Sequence, residues 1–221
     1  MTTPPLCLAD DATFWPWLSW TDFAALPQRE RMLVVLPVAG FADWGLGHPL
    51  DVEETILMSV LRVALQLRPT DLRPLVLPPL RFVLGHGALS AFAVDPDLAH
   101  AQIREVADSV AAAGFRRLVL YNASPYNEEL CDAAARDLRI QRGLETFCLN
   151  LSGLGLDFDP ERGGDRAPLR AVLEALSGNQ ESKRAKTLFP AASHLVALLQ
   201  EIQGRPPLPR SGAIVNLEAP K

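Results

Sequence analysis

Cysteine is scarce and unpaired in this chain. Cys7, Cys131 and Cys148 are odd in number and widely spaced, and none forms a CxxC pair. That excludes a disulfide framework and a zinc knuckle, and leaves reduced, partly buried thiols as the expectation. Positive charge is in deficit too. Lysine and arginine total 21 against 26 aspartates and glutamates, a formal net charge of −5. A general nucleic-acid binder needs clustered cations to neutralise phosphates. The densest basic stretch, Lys183-Arg184-Ala185-Lys186, is only as long as a solvated helix face. No apolar run reaches the roughly 20 residues that a bilayer span requires, so no membrane partner is expected. The opening residues, MTTPPLCLADDATF, lack a basic region and a long apolar region and carry two adjacent aspartates. They do not read as a signal peptide, and a cytoplasmic chain is expected. Gly163-Gly164 lacks the spacing and the lysine of a phosphate loop, and no internal repeat is visible.

Apolar residues, by contrast, are plentiful. A hydrophobic fraction of 48% over 221 residues supports one domain with a sizeable core. Residues 1–30 form an extension with Trp15, Trp17 and Trp20. A short helix there, capped by Ser19 or Thr21, is expected to pack on the body or on a neighbouring subunit. The domain proper spans 31–203. Met32–Val38 is a continuous apolar run, as a strand buried on both faces should be. Val52–Leu67 has helical spacing. Leu75–Leu77 and Leu80–Leu84 read as strand pieces around the Pro78-Pro79 break. A helix over Asp97–Ala113 ends at Gly114 and another over Asn127–Gln141 ends at Gly143, glycine being the usual residue past a helix C-terminus. Strands are expected at Arg116–Tyr121 and Leu144–Leu149. Last come helices over Ala167–Leu176 and Ser182–Gln203, the second expected to kink or split at Pro190. Residues 157–166 read as a polar loop. Residues 204–221 form a Pro-rich tail that reads as extended. Strands alternating with helices predict an α/β fold, a mostly parallel sheet covered by helices on both faces.

In such a sheet, ligands bind beyond the carboxyl ends of the strands. Two loops hold that position, Ala39–Asp51 and Asn122–Asn127. The first lies within LPVAGFADWGLGHPLDVE (36–53) and the second within GFRRLVLYNASPYN (114–127). Both resemble signatures of the creatininase family of amidohydrolases. The family's first motif, E-x-H-G-x-H-L-P-x-x-T-D, keeps its frame here at Gly45, Pro49, Leu50 and Glu53. Its second, G-F-R-R-hydrophobic-N-G-H-G-G-N, is matched at Gly114–Arg117, Asn122 and Asn127. Trp20-Thr21, Leu77-Pro78-Pro79 and Val94–Asp97 are further landmarks in order. The resemblance covers roughly residues 15–203 and implies a creatininase-like single domain.

The ligand positions that the resemblance implies are mostly replaced. Ala42 stands for glutamate, Trp44 and Gly47 for histidines, Glu53 for aspartate and Ser124 for the central histidine. Pro125 and Tyr126 replace the two glycines. The segment 85–93 is shortened, and a late family glutamate has no counterpart after Ser152. Of these positions only Glu53 keeps a suitable group, whereas a catalytic metal needs about four ligands with one position open. Asp43, His48, Asp51, Glu54 and His86 are nearby alternatives.

Two readings follow. In the first, the metal site is degenerate and no cofactor is expected. The chain then binds a small molecule or serves as an assembly subunit, with Trp44 and Tyr126 filling the old cavity or forming an aromatic platform. In the second, it is an amidohydrolase acting on a C–N bond of a small amide or lactam. Its site is either a relocated zinc or manganese centre of Asp43, His48, Glu53 and His86, or a metal-free one using Asn122 and Ser124. Ser124 lacks the G-x-S-x-G elbow and any assignable histidine partner; capping the following helix is its simpler role. Cys131 and Cys148 have no visible base, and His100 and His194 read as surface histidines. The resemblance also implies a homo-oligomer, or pairing with a paralogue that keeps all its ligands.

Overall fold

The computed structural model describes residues 13–44, 47–84, 90–91, 93–159, 162, 165–178 and 181–206. Gly45, His86, Gly163-Gly164, Cys7 and the tail from 207 onward lie outside the described residues. In chain order the elements are α1 (Trp20–Ala24), β1 (Leu33–Ala39), β2 (Phe41–Ala42), α2 (Val52–Leu67), β3 (Leu75–Val76), β4 (Leu80–Arg81), β5 (Ser90–Ala91), α3 (Pro96–Ala112), β6 (Arg117–Asn122), α4 (Glu128–Arg142), β7 (Glu145–Asn150), α5 (Ala167–Ser177) and α6 (Glu181–Gly204).

The main sheet runs β3-β1-β6-β7, with β4 continuing beside β1, and every pairing in it is parallel. β1 and β6 are buried along their whole length, which is why β1 and the Leu118–Tyr121 middle of β6 read as apolar runs. Their alternate residues feed two cores. Leu33, Val35, Val119 and Tyr121 meet α2, α5 and α6. Val34, Leu36, Val38, Leu118 and Leu120 meet α3 and α4.

A proline inside a buried strand normally forfeits a ladder bond, yet Pro37 forfeits none here. Leu77 N donates to Val35 O and Phe82 N donates to Ala39 O, whereas Ala123 N donates to Val38 O on the other side. Pro37 therefore addresses the β3–β4 flank, where Pro78-Pro79 already interrupts the ladder. That break also explains why β3 and β4 are shorter than the apolar pieces predict.

One local expectation, a split at Pro190, needs correction. α6 runs unbroken through Pro190. Pro190 is exposed, so the carbonyl it leaves unpaired is solvated, while buried Leu188, Ala191, Ala192 and Leu195 hold the helix on the core. Of the two expected caps, Ser19 is the one that caps α1, in a reciprocal box with Asp22. Of the tryptophans, Trp15 packs on Phe23 and Phe115, but Trp20 is 82% exposed. A small antiparallel pair, β2 with β5, was not legible beforehand. Among the described residues no helix is long and apolar enough to cross a membrane.

Candidate functional site

The carboxyl ends of β1 and β6 align, with Val38 opposite Asn122. Gly40 leaves β1 there, Ser124 leaves β6, and the first turn of α2 presents Glu53. The Glu53 side chain is fully buried. Gly40 N donates to its Oε2 at 2.7 Å, and Trp44 Nε1 donates to its Oε1 at 2.8 Å. Burial pushes the Glu53 carboxyl above the usual glutamate range, against the lowering influence of the Gly40 and Trp44 N–H groups and of the nearby Ser124 hydroxyl. Ser124 Oγ itself is buried and makes no hydrogen bond of full geometry among the described residues.

Trp44 is the lid on this carboxyl. Its ring stacks on Tyr126 at 5.3 Å and 18°, and tilts against Phe158 at 5.6 Å. Phe158 is fully buried, whereas Tyr126 is 41% exposed, so the stack has one face in the core and one at the surface. At the rim, Glu128 accepts from Ser152 Oγ at 2.7 Å and pairs with Arg162 at 2.7 Å. Arg162 also reaches Asp159 at 3.3 Å.

The two loop asparagines are engaged in holding backbone. Asn122 Nδ2 donates to Ser124 O at 2.8 Å and to Asn150 Oδ1 at 3.0 Å, while its Oδ1 accepts from Ser124 N at 3.2 Å. Asn127 Nδ2 donates to Phe82 O at 2.8 Å, and its Oδ1 accepts from Leu84 N at 3.1 Å. Asn127 thus clamps the segment after β4 to the end of β6. The expected cap by Ser124 is not made: it precedes a short 3-10 turn, Pro125–Asn127, without a side-chain cap bond.

The remaining candidates are dispersed. Ala42 is buried; its N–H donates to Leu50 O at 3.2 Å and closes the loop. Asp43 is exposed and His48 half-buried. Glu54 faces away from Glu53 and receives a bidentate Arg81 guanidinium at 2.7 and 2.8 Å. Among the described residues no three His, Cys, Asp or Glu side chains gather as a metal group. Cys148 is a poor nucleophile, since a hydrogen bond with Cys131 and burial hold its thiol far above the usual range.

Two partners of the site, Gly40 and Phe158, and the pairing of Glu54 with Arg81 were missed in the sequence. Gly40 supplies a backbone donor, and a glycine directly after a buried strand is the signal for such a close approach. Phe158 and the Glu54–Arg81 pair carry no local signal.

Over residues 17–194 the chain matches the family profile described as Creatinine amidohydrolase. The chain belongs to the creatininase family. Solved structures agree on the fold. A putative creatinine amidohydrolase from Bacteroides fragilis is 12% identical with a TM-score of 0.65, covering 90% of this chain and 99% of that one. A creatinine amidohydrolase (creatininase) is 16% identical with a TM-score of 0.65, covering 89% and 100%. A manganese form of creatininase is 17% identical with a TM-score of 0.64, covering 88% and 100%. No curated protein matches the chain in sequence.

One of these solved creatininases is named as a manganese form, and a mutant creatininase is named as a Zn–Zn type. The described residues of this family member fit such a metal poorly. Both Glu53 oxygens already accept an N–H. The groups beside them are an indole, a backbone N–H and a hydroxyl, none of them a strong ligand for zinc or manganese.

Proposed function

We propose that this chain is a creatininase-family protein in which protein donors have taken over the family's metal position. In this reading it binds a small molecule at the Trp44–Tyr126 stack and lacks metal-dependent amidohydrolase activity. It works as a homo-oligomer subunit or beside a paralogue with a full ligand set. The carrying observation is the 2.8 Å bond from Trp44 Nε1 to Glu53 Oε1. An indole cannot ligate a metal, and here it caps the carboxylate that would. Gly40 secures the other oxygen. The half-exposed Tyr126 ring leaves an aromatic surface over this polar anchor, the pattern of a site that stacks a planar ligand.

A second reading, residual C–N hydrolysis without metal, draws on one observation. Glu53 has a raised pKa, as a general acid or base at neutral pH requires, and the Ser124 hydroxyl, without a hydrogen bond of full geometry among the described residues, lies close by. Tryptophan emission during titration with small planar amides and lactams separates the two. Binding without turnover predicts a saturable change that Trp44→Phe removes, with no product formed. Product formation that Glu53→Gln abolishes would favour the second reading. No emission change across the panel would count against the stacking site.

A further inference from the structure

Two open spaces lie at the opposite end of the sheet. These adjoining cavities of about 470 and about 500 Å³ share Leu26, Met32 and Arg73. They open where β1, β3 and β6 begin, at Met32, Leu75 and Arg117. That volume is the size of a small-molecule site.

The first cavity is lined by four arginines, Arg31, Arg73, Arg117 and Arg205, with Asp71 as its one described carboxylate. Two of the four are spent on the fold. Arg117 is 3% exposed; it pairs with Glu145 at 3.0 Å and donates to the carbonyls of Gln203 and Arg205. Arg205 pairs with Glu201 at 2.6 Å. The other two are uncommitted. Arg73 uses only its Nε, on Thr70 O at 3.2 Å, and Arg31 has no side-chain hydrogen bond or ion pair among the described residues. Two guanidinium forks thus face a cavity whose other wall is Leu26, Pro27 and Met32. In a chain of net charge −5 this concentration of cation is local. Planar forks of this kind are the side chains best matched to phosphate and carboxylate.

We propose that this groove binds a small organic oxyanion, a phosphate or carboxylate on an apolar body. Arg31 and Arg73 hold the head, and Leu26, Pro27 and Met32 cover the body. The site is independent of Glu53 and of the reading above.

Titration calorimetry of the full chain with phenyl phosphate, benzoate and phenol tests it. One or both anions bind and phenol does not; whichever binds names the head group. Arg31→Ala with Arg73→Ala weakens binding at least about tenfold, the loss expected for charge-assisted hydrogen bonds. The charge-matched control Arg62→Ala with Arg136→Ala leaves it unchanged. Arg31 is exposed and has no side-chain hydrogen bond or ion pair to lose among the described residues, so Arg31→Glu is a second variant that folds and abolishes binding. Absence of both anions at millimolar concentration overturns the proposal. So does unchanged affinity in Arg31→Glu, or an equal loss in the control.

Discussion

Replacing Trp44 by phenylalanine removes the indole N–H from Glu53 and keeps an aromatic ring against Tyr126. A hydrogen bond to a charged acceptor contributes about 1.5–3 kcal/mol, and the half-buried position of Trp44 places it at the low end of that range. The smaller ring forfeits roughly 0.5 kcal/mol of stacking. The sum is about 2 kcal/mol at pH 8, or a fall of about 4–8 °C in Tm for a chain of this length. The cost should depend on pH. Burial raises the folded-state pKa of Glu53. The folded protein therefore keeps this proton at pH values where the unfolded chain, near the ordinary value of about 4.3, has lost it. Glu53 itself thus favours folding most below that unfolded value, and the advantage is lost as pH rises through the folded pKa. The Trp44 bond is a partial remedy that acts mainly on the ionised form. At pH 4.5 folded Glu53 is more protonated than at pH 8, and the substitution should cost less, falling toward about 1 kcal/mol, the value of a neutral hydrogen bond. Urea unfolding followed by circular dichroism at the two pH values measures both numbers. A cost below about 0.5 kcal/mol at pH 8, or one that grows on acidification, would refute this account of Glu53.

Gly40→Ala should destabilise by about 1–3 kcal/mol in the same assay. Its Cβ would sit 3.0 Å from Glu53 Oε2, 3.1 Å from Val83 Cβ and 3.3 Å from Phe82 O; a neutral result would mean the carboxylate can move away. Asn127→Ala should cost about 2–3 kcal/mol, because Phe82 O and Leu84 N lose their side-chain partner together. Retention of full stability would show water replacing the clamp. Ser124→Ala should cost less than about 1.5 kcal/mol, since the buried hydroxyl has no hydrogen bond of full geometry among the described residues and only assists the Glu53 carboxylate from nearby. A loss above about 1.5 kcal/mol would reveal a partner for Ser124.

The order and type of the main elements were legible because their burial is periodic in sequence. β1 and the Leu118–Tyr121 middle of β6 are buried on both faces and read as apolar runs, and Val52–Leu67 coincides with α2. The motif frame located both loops of the site. Side-chain pairing was not legible. Trp44 reaches Glu53 out of a loop, where no helical or strand period sets its direction. Asn127 reaches residues 43 and 45 positions away, and Arg81 reaches Glu54 across 27. Contacts of that span are set by the packed sheet. Pro190 misled for a related reason: its local penalty is real, but the buried face of α6 outweighs it.

Whether N–H donors have replaced a metal at Glu53 is answered most directly by elemental mass spectrometry. The protein should be purified without a tag or chelator and measured before and after zinc and manganese add-back. The expected result is that neither metal is retained near one per chain, and that Glu53→Ala changes nothing. Near-stoichiometric metal that is lost in Glu53→Ala would contradict it.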